Sequence, residues 1–202
     1  MREMEMSEVN VPKLRFREFE GEWVEKELGK IATFFSGGTP TSTNKSYYSG
    51  TIPFIGSGKI NDYEVEQFIS EEALSNSSSK MVNKGDLLYA LYGATSGEVA
   101  ISKINGAINQ AVLCIRSEEN IYFLYYWLLF KKESIIVTYL QGGQGNLSAK
   151  IIKSLKLNLP SLAEQTKIAN FLSSIDKKIE QVNRQIEESK GFKKGLLQGM
   201  FV

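Results

Sequence analysis

The sequence contains no histidine and a single cysteine, Cys114. Without an imidazole, a Ser-His-Asp triad and a Cys/His zinc site are both excluded, and one cysteine cannot close an internal disulfide. Cys114 lies in the apolar run Ala111 to Ile115, the setting of a buried, inert thiol rather than of a nucleophile. No carboxylate pair stands out as an acid/base constellation; Asp86 and Glu98 each stand alone. No metal site is predicted. Long hydrophobic runs are missing too. The most apolar stretch, Ile121 to Phe130, is followed at once by Lys131, Lys132 and Glu133, far short of a membrane span. The polar, acidic start offers no signal peptide. These absences predict a cytoplasmic protein with no membrane partner. Surplus charge is the last thing lacking: 24 basic and 23 acidic residues leave +1. The first thirty residues are acidic, the middle is near neutral and the end slightly basic, so no strongly basic domain advertises nucleic acid.

What the sequence does have is a heptad seam. Between Pro160 and Phe201, apolar residues fall at Ile168, Leu172, Ile175, Ile179, Val182 and Ile186, in alternating steps of four and three. The pattern resumes at Leu196 and Met200, with Ser189 and Lys193 at the two seam positions between. Ser161 and Glu164 form an S-x-x-E capping box at the front, and Pro160 discourages an earlier start. The predicted helix, Leu162 to Met200, would run roughly 58 Å. That is longer than a small domain needs, and its stripe is too narrow and regular for one side of a globule, so the spacing predicts a partner helix. Gly191, Gly195 and Gly199, four apart, either loosen the last turns or let another backbone approach closely. The remaining 160 or so residues suffice for one domain with a proper core, so the frame is a globular domain on a rod.

Along that domain, Met1 to Val11 is expected to be a mobile polar leader. Leu14, Phe16, Phe19 and Trp23 are expected core anchors, followed by a strand near Ile31 to Phe35. Short apolar bursts at Ile52 to Ile55 and Leu87 to Ala90 alternate with loops rich in Ser, Thr, Asn and Lys, the mark of a β-rich domain. GGTPTSTNKS ends like a phosphate-binding loop but lacks glycine where Thr39 and Asn44 stand, so nucleotide binding is not expected. Leu87 to Tyr92 and Val99 to Ile101 flank GATSG, which reads either as ordinary hairpin chemistry or as a loop tip offered to a ligand. Ala107 to Ile115 is predicted as one buried strand. A helix over Ile121 to Leu140 is predicted to pack Phe123, Tyr126, Trp127 and Phe130 on the sheet. Gly142 and Gly143 would end it, and a strand over Ile152 to Leu159 would lead into the rod.

Taken in order, VPKLRF with GEW, GGTP with IPFI, GDLLYALYGATSGEVAI with AINQAV, LKLNLPSLAEQTKIANFLSSIDKKIE and the ending KKGLLQGMFV resemble the DNA specificity subunit of type I restriction-modification systems. GGTP or GATSG alone would be weak; five such blocks in one order, over nearly the whole chain, are specific. The resemblance implies an α+β fold: a β-rich target recognition domain with a packed helix over residues 12–159, then the long C-terminal helix over 160–202, forming an antiparallel coiled coil. It implies a non-catalytic subunit that reads one half of a split site in double-stranded DNA, while the helix sets spacing and docks adenine-N6 methyltransferase (M) subunits. S-adenosylmethionine would belong to those M subunits, and ATP with Mg to the restriction (R) subunits. The sequence agrees in lacking an Asn/Asp-Pro-Pro-aromatic motif and a glycine fingerprint for S-adenosylmethionine. Family members typically carry this module twice and here it occurs once, so a half-size subunit is expected, self-pairing through Ile168, Leu172, Ile175, Ile179, Val182, Ile186, Leu196 and Met200 into a homodimer. An orphan half that pairs with another specificity subunit is the alternative. Base readout needs polar side chains on loops, with cations on phosphates. The candidates are Lys45, Tyr47 and Tyr48; Ser57, Lys59 and Asn61; Ser78 and Lys80; Tyr92, Thr95 and Ser96; and Gln141, Gln144 and Asn146.

Overall fold

Leu87, Leu88, Tyr89 and Ala90 are all buried, so strand β6 (Leu87–Ala90) is covered on both faces. It sits beside β9 (Val112–Ser117) at the centre of an antiparallel sheet, between β2 (Ala32–Ser36) and β7 (Val99–Ile101), in the order β2-β9-β6-β7. Side chains alternate across a strand, and the two faces feed two cores. Leu87, Tyr89, Leu113 and Ile115 face Phe123, Leu124, Leu128 and Ile135 of helix α3 (Ile121–Tyr139). Leu88, Ala90, Val112 and Cys114 face Ile55, Val82 and Ile108 of a second sheet. That sheet runs β4 (Phe68–Ile69), β3 (Ile52–Ile55), β8 (Gly106–Ile108), β5 (Lys80–Val82), with β3 and β8 parallel. The short helix α2 (Glu71–Ser75), started by the Ser70 hydroxyl accepting from the Ala73 N–H, closes a third cluster around Phe54 and Ile69. The computed structural model describes residues 11–139 and 146–201; the expected leader falls almost wholly, and Gly142 and Gly143 wholly, outside them.

A two-stranded sheet joins the start of the domain to its end: β1 (Val24–Glu27) pairs antiparallel with β10 (Lys156–Leu159). Helices α1 (Leu28–Ile31) and α4 (Ala149–Lys153) lie beside it and contribute buried Leu28 and Ile152 to the α3 core. Helix α5 (Leu162–Met200) then leaves the domain. Its root is fixed by buried polar groups. Glu164 and Gln165 are each 1% exposed. Arg15 donates from Nε and Nη2 to the two Glu164 oxygens, both at 2.8 Å. The Gln165 amide donates to Glu119 Oε2 (2.8 Å) and the Pro160 carbonyl (3.1 Å), and its oxygen accepts from the Asn120 N–H (3.0 Å). Further along, the Tyr126 hydroxyl donates to Asp176 Oδ2 at 2.6 Å. Burial, then that bond, push the Tyr126 phenol up to about 12.

The α+β architecture with a long C-terminal helix matches the sequence reading, and several details differ. The single strand expected over Ala107 to Ile115 is two, β8 and β9, in different sheets. Asn109 Oδ1 accepts from the Ala111 N–H and the Asn109 carbonyl accepts from the Val112 N–H, an Asx turn inside an otherwise apolar run. The strand expected from Ile152 begins only at Lys156, because Ser148 caps α4 by accepting from the Ile151 N–H. On α3, Phe130 is 78% exposed, and Tyr126 and Trp127 are only half-buried; Leu124, Leu128 and Ile135 pack on the sheet beside Phe123. Among the expected anchors Leu14 is 93% exposed, whereas Phe16 packs edge-on against Phe171 and Trp23 against Phe123. The capping box is half formed: the Ser161 hydroxyl accepts from the Glu164 N–H, but the Glu164 carboxylate is taken by Arg15.

Asp86, before β6, accepts from Arg116 Nε (2.9 Å) and Nη2 (2.6 Å) and from the Asn83 N–H (2.8 Å). Burial alone pulls its pKa up, but these donors outweigh it and hold it below the ordinary 3.8. A depressed native pKa contributes stability that is present above the unfolded value and lost as pH falls through the native one. Asp86→Asn is therefore expected to lower the urea midpoint at pH 7, with the gap to wild type closing as the pH is taken below about 4. A gap that stays constant down to pH 2.5 would refute the electrostatic origin.

Candidate nucleic-acid interface

Parallel β3 and β8 end on the same side, and the ends of β2 and β6 and the starts of β5, β7 and β9 lie there too. The loops at that side are tied into one rim by close backbone approaches. The Gly37 N–H donates to the Asn109 carbonyl at 3.2 Å. A Cβ on Gly37 would run into the Ile108 carbonyl oxygen, and one on Gly38 would lie 2.6 Å from Ser78 Cβ. Only glycine permits these contacts. Ser79 Oγ, buried, donates to the Gly38 carbonyl at 2.7 Å. The Leu91 N–H donates to the Ala111 carbonyl (2.8 Å), and the Leu91 carbonyl accepts from the Leu147 N–H (3.1 Å), so the segment after residue 145 reaches the same rim. At the hairpin, Gly93 (φ +96°) and Gly97 (φ +87°) take the left-handed region, and Gly93 lies against the Ser57 hydroxyl.

The rim thus gathers the loops of most sequence candidates that lie within the described residues, but the segment of Tyr47 and Tyr48 runs on to the opposite end of β3, where the Tyr47 carbonyl accepts from the Ser70 N–H (2.9 Å). Some of these side chains are committed inside the fold. Tyr48 donates to the Pro40 carbonyl (2.7 Å), Tyr47 accepts from Asn76 Nδ2 (3.4 Å) and Ser96 donates to the Leu91 carbonyl (2.9 Å). Lys59 is held by Glu66 (2.9 Å) and Asp62 (3.2 Å), whose hydrogen bonds raise its pKa, and its charge is matched locally. Lys45, Asn61, Ser78, Lys80 and Asn146 are exposed, and Ser57, Tyr92 and Thr95 half-buried. Among the described residues, neither Lys45, in the loop that leaves the rim after β2, nor Lys80, at the rim, has a carboxylate partner. Gln141 and Gln144 lie outside the described residues. Sequence reasoning passed over Thr39 and Gln110, whose side chains meet across the rim at 2.6 Å. Their signal was the glycine pair before Thr39 and the turn-forming Asn109 before Gln110. Among the described residues no group of three or more His, Cys, Asp or Glu is placed to hold a metal, and no helix is long and apolar enough to cross a membrane.

The rod carries the other candidate surface. Ile168 and Leu172 are half-buried at its root, whereas Ile175 (38%), Ile179 (54%), Val182 (51%), Ile186 (44%), Leu196 (45%) and Met200 (72%) stay open to solvent. The seam, apolar except at Ser189 and Lys193, is an exposed stripe of the kind that partners cover.

The family model for the type I restriction modification DNA specificity domain matches residues 20–189, which takes in the rim and most of the rod. The chain belongs to the type I restriction modification DNA specificity domain family. Two Methanocaldococcus jannaschii proteins, the MjaVIII and MjaIX type I restriction enzyme specificity subunits, are 27% and 30% identical over 92% and 82% of this chain. A type I restriction enzyme specificity subunit of Escherichia coli is 28% identical over 81%. The match takes up 44%, 40% and 43% of those three proteins, so the chain spans less than half the length of the specificity subunits it resembles. Solved structures share its fold. The HsdS subunit of Thermoanaerobacter tengcongensis superposes with a TM-score of 0.61 at 19% identity, over 87% of this chain and 42% of that one. The type I restriction-modification system S subunit from M. genitalium gives 0.62 at 19%, over 89% and 46%. 

The rim's dependence on glycine is open to test. Gly37→Ala would drive a Cβ into the Ile108 carbonyl and separate β2 from β8, and is expected to cost about 2–4 kcal/mol in urea unfolding. Gly58→Ala, on a turn where a Cβ meets nothing within 4 Å, is expected to change stability by less than about 0.5 kcal/mol. Equal effects would show that the close approach does not matter.

Proposed function

We propose that this chain is the non-catalytic DNA-reading subunit of a type I restriction-modification enzyme. Its rim reads one half of a split site in double-stranded DNA, and its rod sets the spacing and docks adenine-N6 methyltransferase subunits. The observation that carries the reading is the convergence of the polar loops on one side of a family specificity domain, at the head of an anchored rod. The exposed Thr39 and Gln110 and the half-buried Tyr92 carry the hydroxyl, amide and phenol group types that read base edges, and Lys45 and Lys80 suit phosphates. The domain proper runs over residues 12–159 and the rod over 160–202 in this reading. Methyl transfer from S-adenosylmethionine belongs to the M subunits, and ATP- and Mg-dependent steps belong to R subunits. The assembly works in the cytoplasm, where its DNA lies.

The open seam supports self-pairing. Fully burying a Val, Leu, Ile or Met side chain contributes about 1.5–3 kcal/mol relative to exposure, and the seam offers several that are half open. Two copies paired antiparallel would carry two recognition domains, one at each end of the paired rods. A two-fold protein reads an inverted repeat, two identical half-sites around an unread gap.

Co-expression with the cognate M subunit and genome-wide mapping of N6-methyladenine tests this. The expected result is one split palindromic motif, lost when this chain is omitted. In a gel-shift series on the purified complex, Lys80→Ala is expected to weaken binding to all sequences alike and to lower the salt slope by about one. An asymmetric motif would instead identify a second, different specificity subunit as the partner, and unchanged methylation without the chain would overturn the reading.

A further inference from the structure

Resting on the self-pairing just proposed, we infer a single register for the rod: α5 pairs antiparallel with a second copy so that the residue numbers facing across the seam sum to 368. Ile168 then meets the partner copy's Met200, Leu172 its Leu196, Ile175 its Lys193, Ile179 its Ser189, and Val182 its Ile186. The whole stripe from 168 to 200 is used. A slip of one heptad toward 361 leaves Leu196 and Met200 with no seam partner and sets Leu172 against Ser189 and Ile168 against Lys193. A slip the other way strands Ile168 and Leu172 and puts Val182 against Lys193.

The flanks point to the same register. In an antiparallel pair the residues just outside the seam on one side meet their own kind across the two-fold axis. On one flank, a sum of 368 sets Asp176 against Lys190, twice per dimer, with Asn183 facing itself at the axis. On the other it sets Phe171, 52% exposed, against Gly199, Lys178 against Phe192, 71% exposed, and Gln185 against itself. Asp176 with Lys190 is an opposite-charge pair and Lys178 with Phe192 a cation beside an aromatic face. Gly199 has nothing within 4 Å of a would-be Cβ, which leaves room for the Phe171 ring. In either slipped register Asp176 faces Asn183 or Leu197 instead. The tip of the partner rod also lands on a surface shaped for it. Ile168, Phe171 and Leu172 line an apolar groove of about 460 Å³ together with Leu14, Phe16 and Trp23. Leu196, Gly199 and Met200 of the second copy lie over that groove.

The register predicts which cysteine closes on itself. The native Cys114 thiol is buried, and burial and the nearby Asp86 carboxylate push it up to about 12, so it stays out of mild oxidation. In the full chain, Gln185→Cys is expected to give a disulfide-linked dimer under mild oxidant, whereas Lys178→Cys and Phe192→Cys are not. Sedimentation equilibrium supplies the second readout. Asp176→Lys and Lys190→Asp are each expected to weaken self-association roughly tenfold, because each sets two like-charge pairs against each other, and the double reversal is expected to restore it. Loss of the Tyr126 hydrogen bond to Asp176 would not be repaired by the second change, so rescue isolates the contact between copies. A dimer that cross-links through position 178 or 192, or reversals that do not rescue, overturns the register and leaves self-pairing standing. A wild-type chain that is monomeric at tens of micromolar overturns both.

Discussion

The buried polar knot at the root of α5 is the constraint on which the rest depends. Glu164 and Gln165 are among the least exposed polar side chains of the chain, and each is satisfied from more than one direction. A buried carboxylate is costly unless paired and hydrogen-bonded, so the helix keeps this root only if Arg15, Glu119 and Asn120 stay in place. Those partners come from the entry segment and from the link between β9 and α3. The knot therefore ties both ends of the domain to one point and fixes the direction in which the rod leaves. A purely apolar root would bury as well but would tolerate rotation and sliding. Hydrogen bonds of defined angle do not.

At the other side of the domain the logic is steric. The rim holds because backbones approach where glycine has no side chain, at Gly37 against β8 and at Gly38 against Ser78. Two cores, one between the first sheet and α3 and the other between the two sheets, share β6 and β9 as a common wall. Loops that follow strands in different sheets are thereby brought within hydrogen-bonding reach of each other, as Thr39 and Gln110 show. The polar side chains on them can vary without disturbing the wall, which is what a reading surface needs.

The rod was legible because a heptad repeats one simple period over many turns, and no tertiary contact is needed to see it. The doubly covered strand β6 was legible for the same reason, as a continuous apolar run. What was not legible turned on single side chains. Asn109 breaks an apolar run by accepting from Ala111, and Ser148 turns an apparent strand start into α4. Ser70 starts α2, which sequence reading did not anticipate. Each is a local hydrogen bond competing with a periodic signal, and which one wins depends on the sheet that receives the chain. The loop candidates were legible as polar loops, but not as partners: nothing in the sequence shows that Tyr48 spends its hydroxyl on Pro40 or that Lys59 sits between two carboxylates.

The knot and the rim become one device through the rod. If two copies pair antiparallel, a slip of one heptad moves the two roots by about 10 Å along the axis. On B-DNA that is about three base pairs, which also turns the second half-site by roughly a third of a helical turn. A domain rigidly fixed to its rod cannot follow such a turn, so a slipped pair would present one rim to the groove and the other to the backbone. The register must then be single-valued, and a uniformly apolar seam would not make it so, because one heptad slip would look much like the next. Ser189 and Lys193 interrupt the seam in its second half; they would weaken such a pairing but make its registers unequal. In such a pair, stability given up at those two positions would be converted into a defined distance between the two rims.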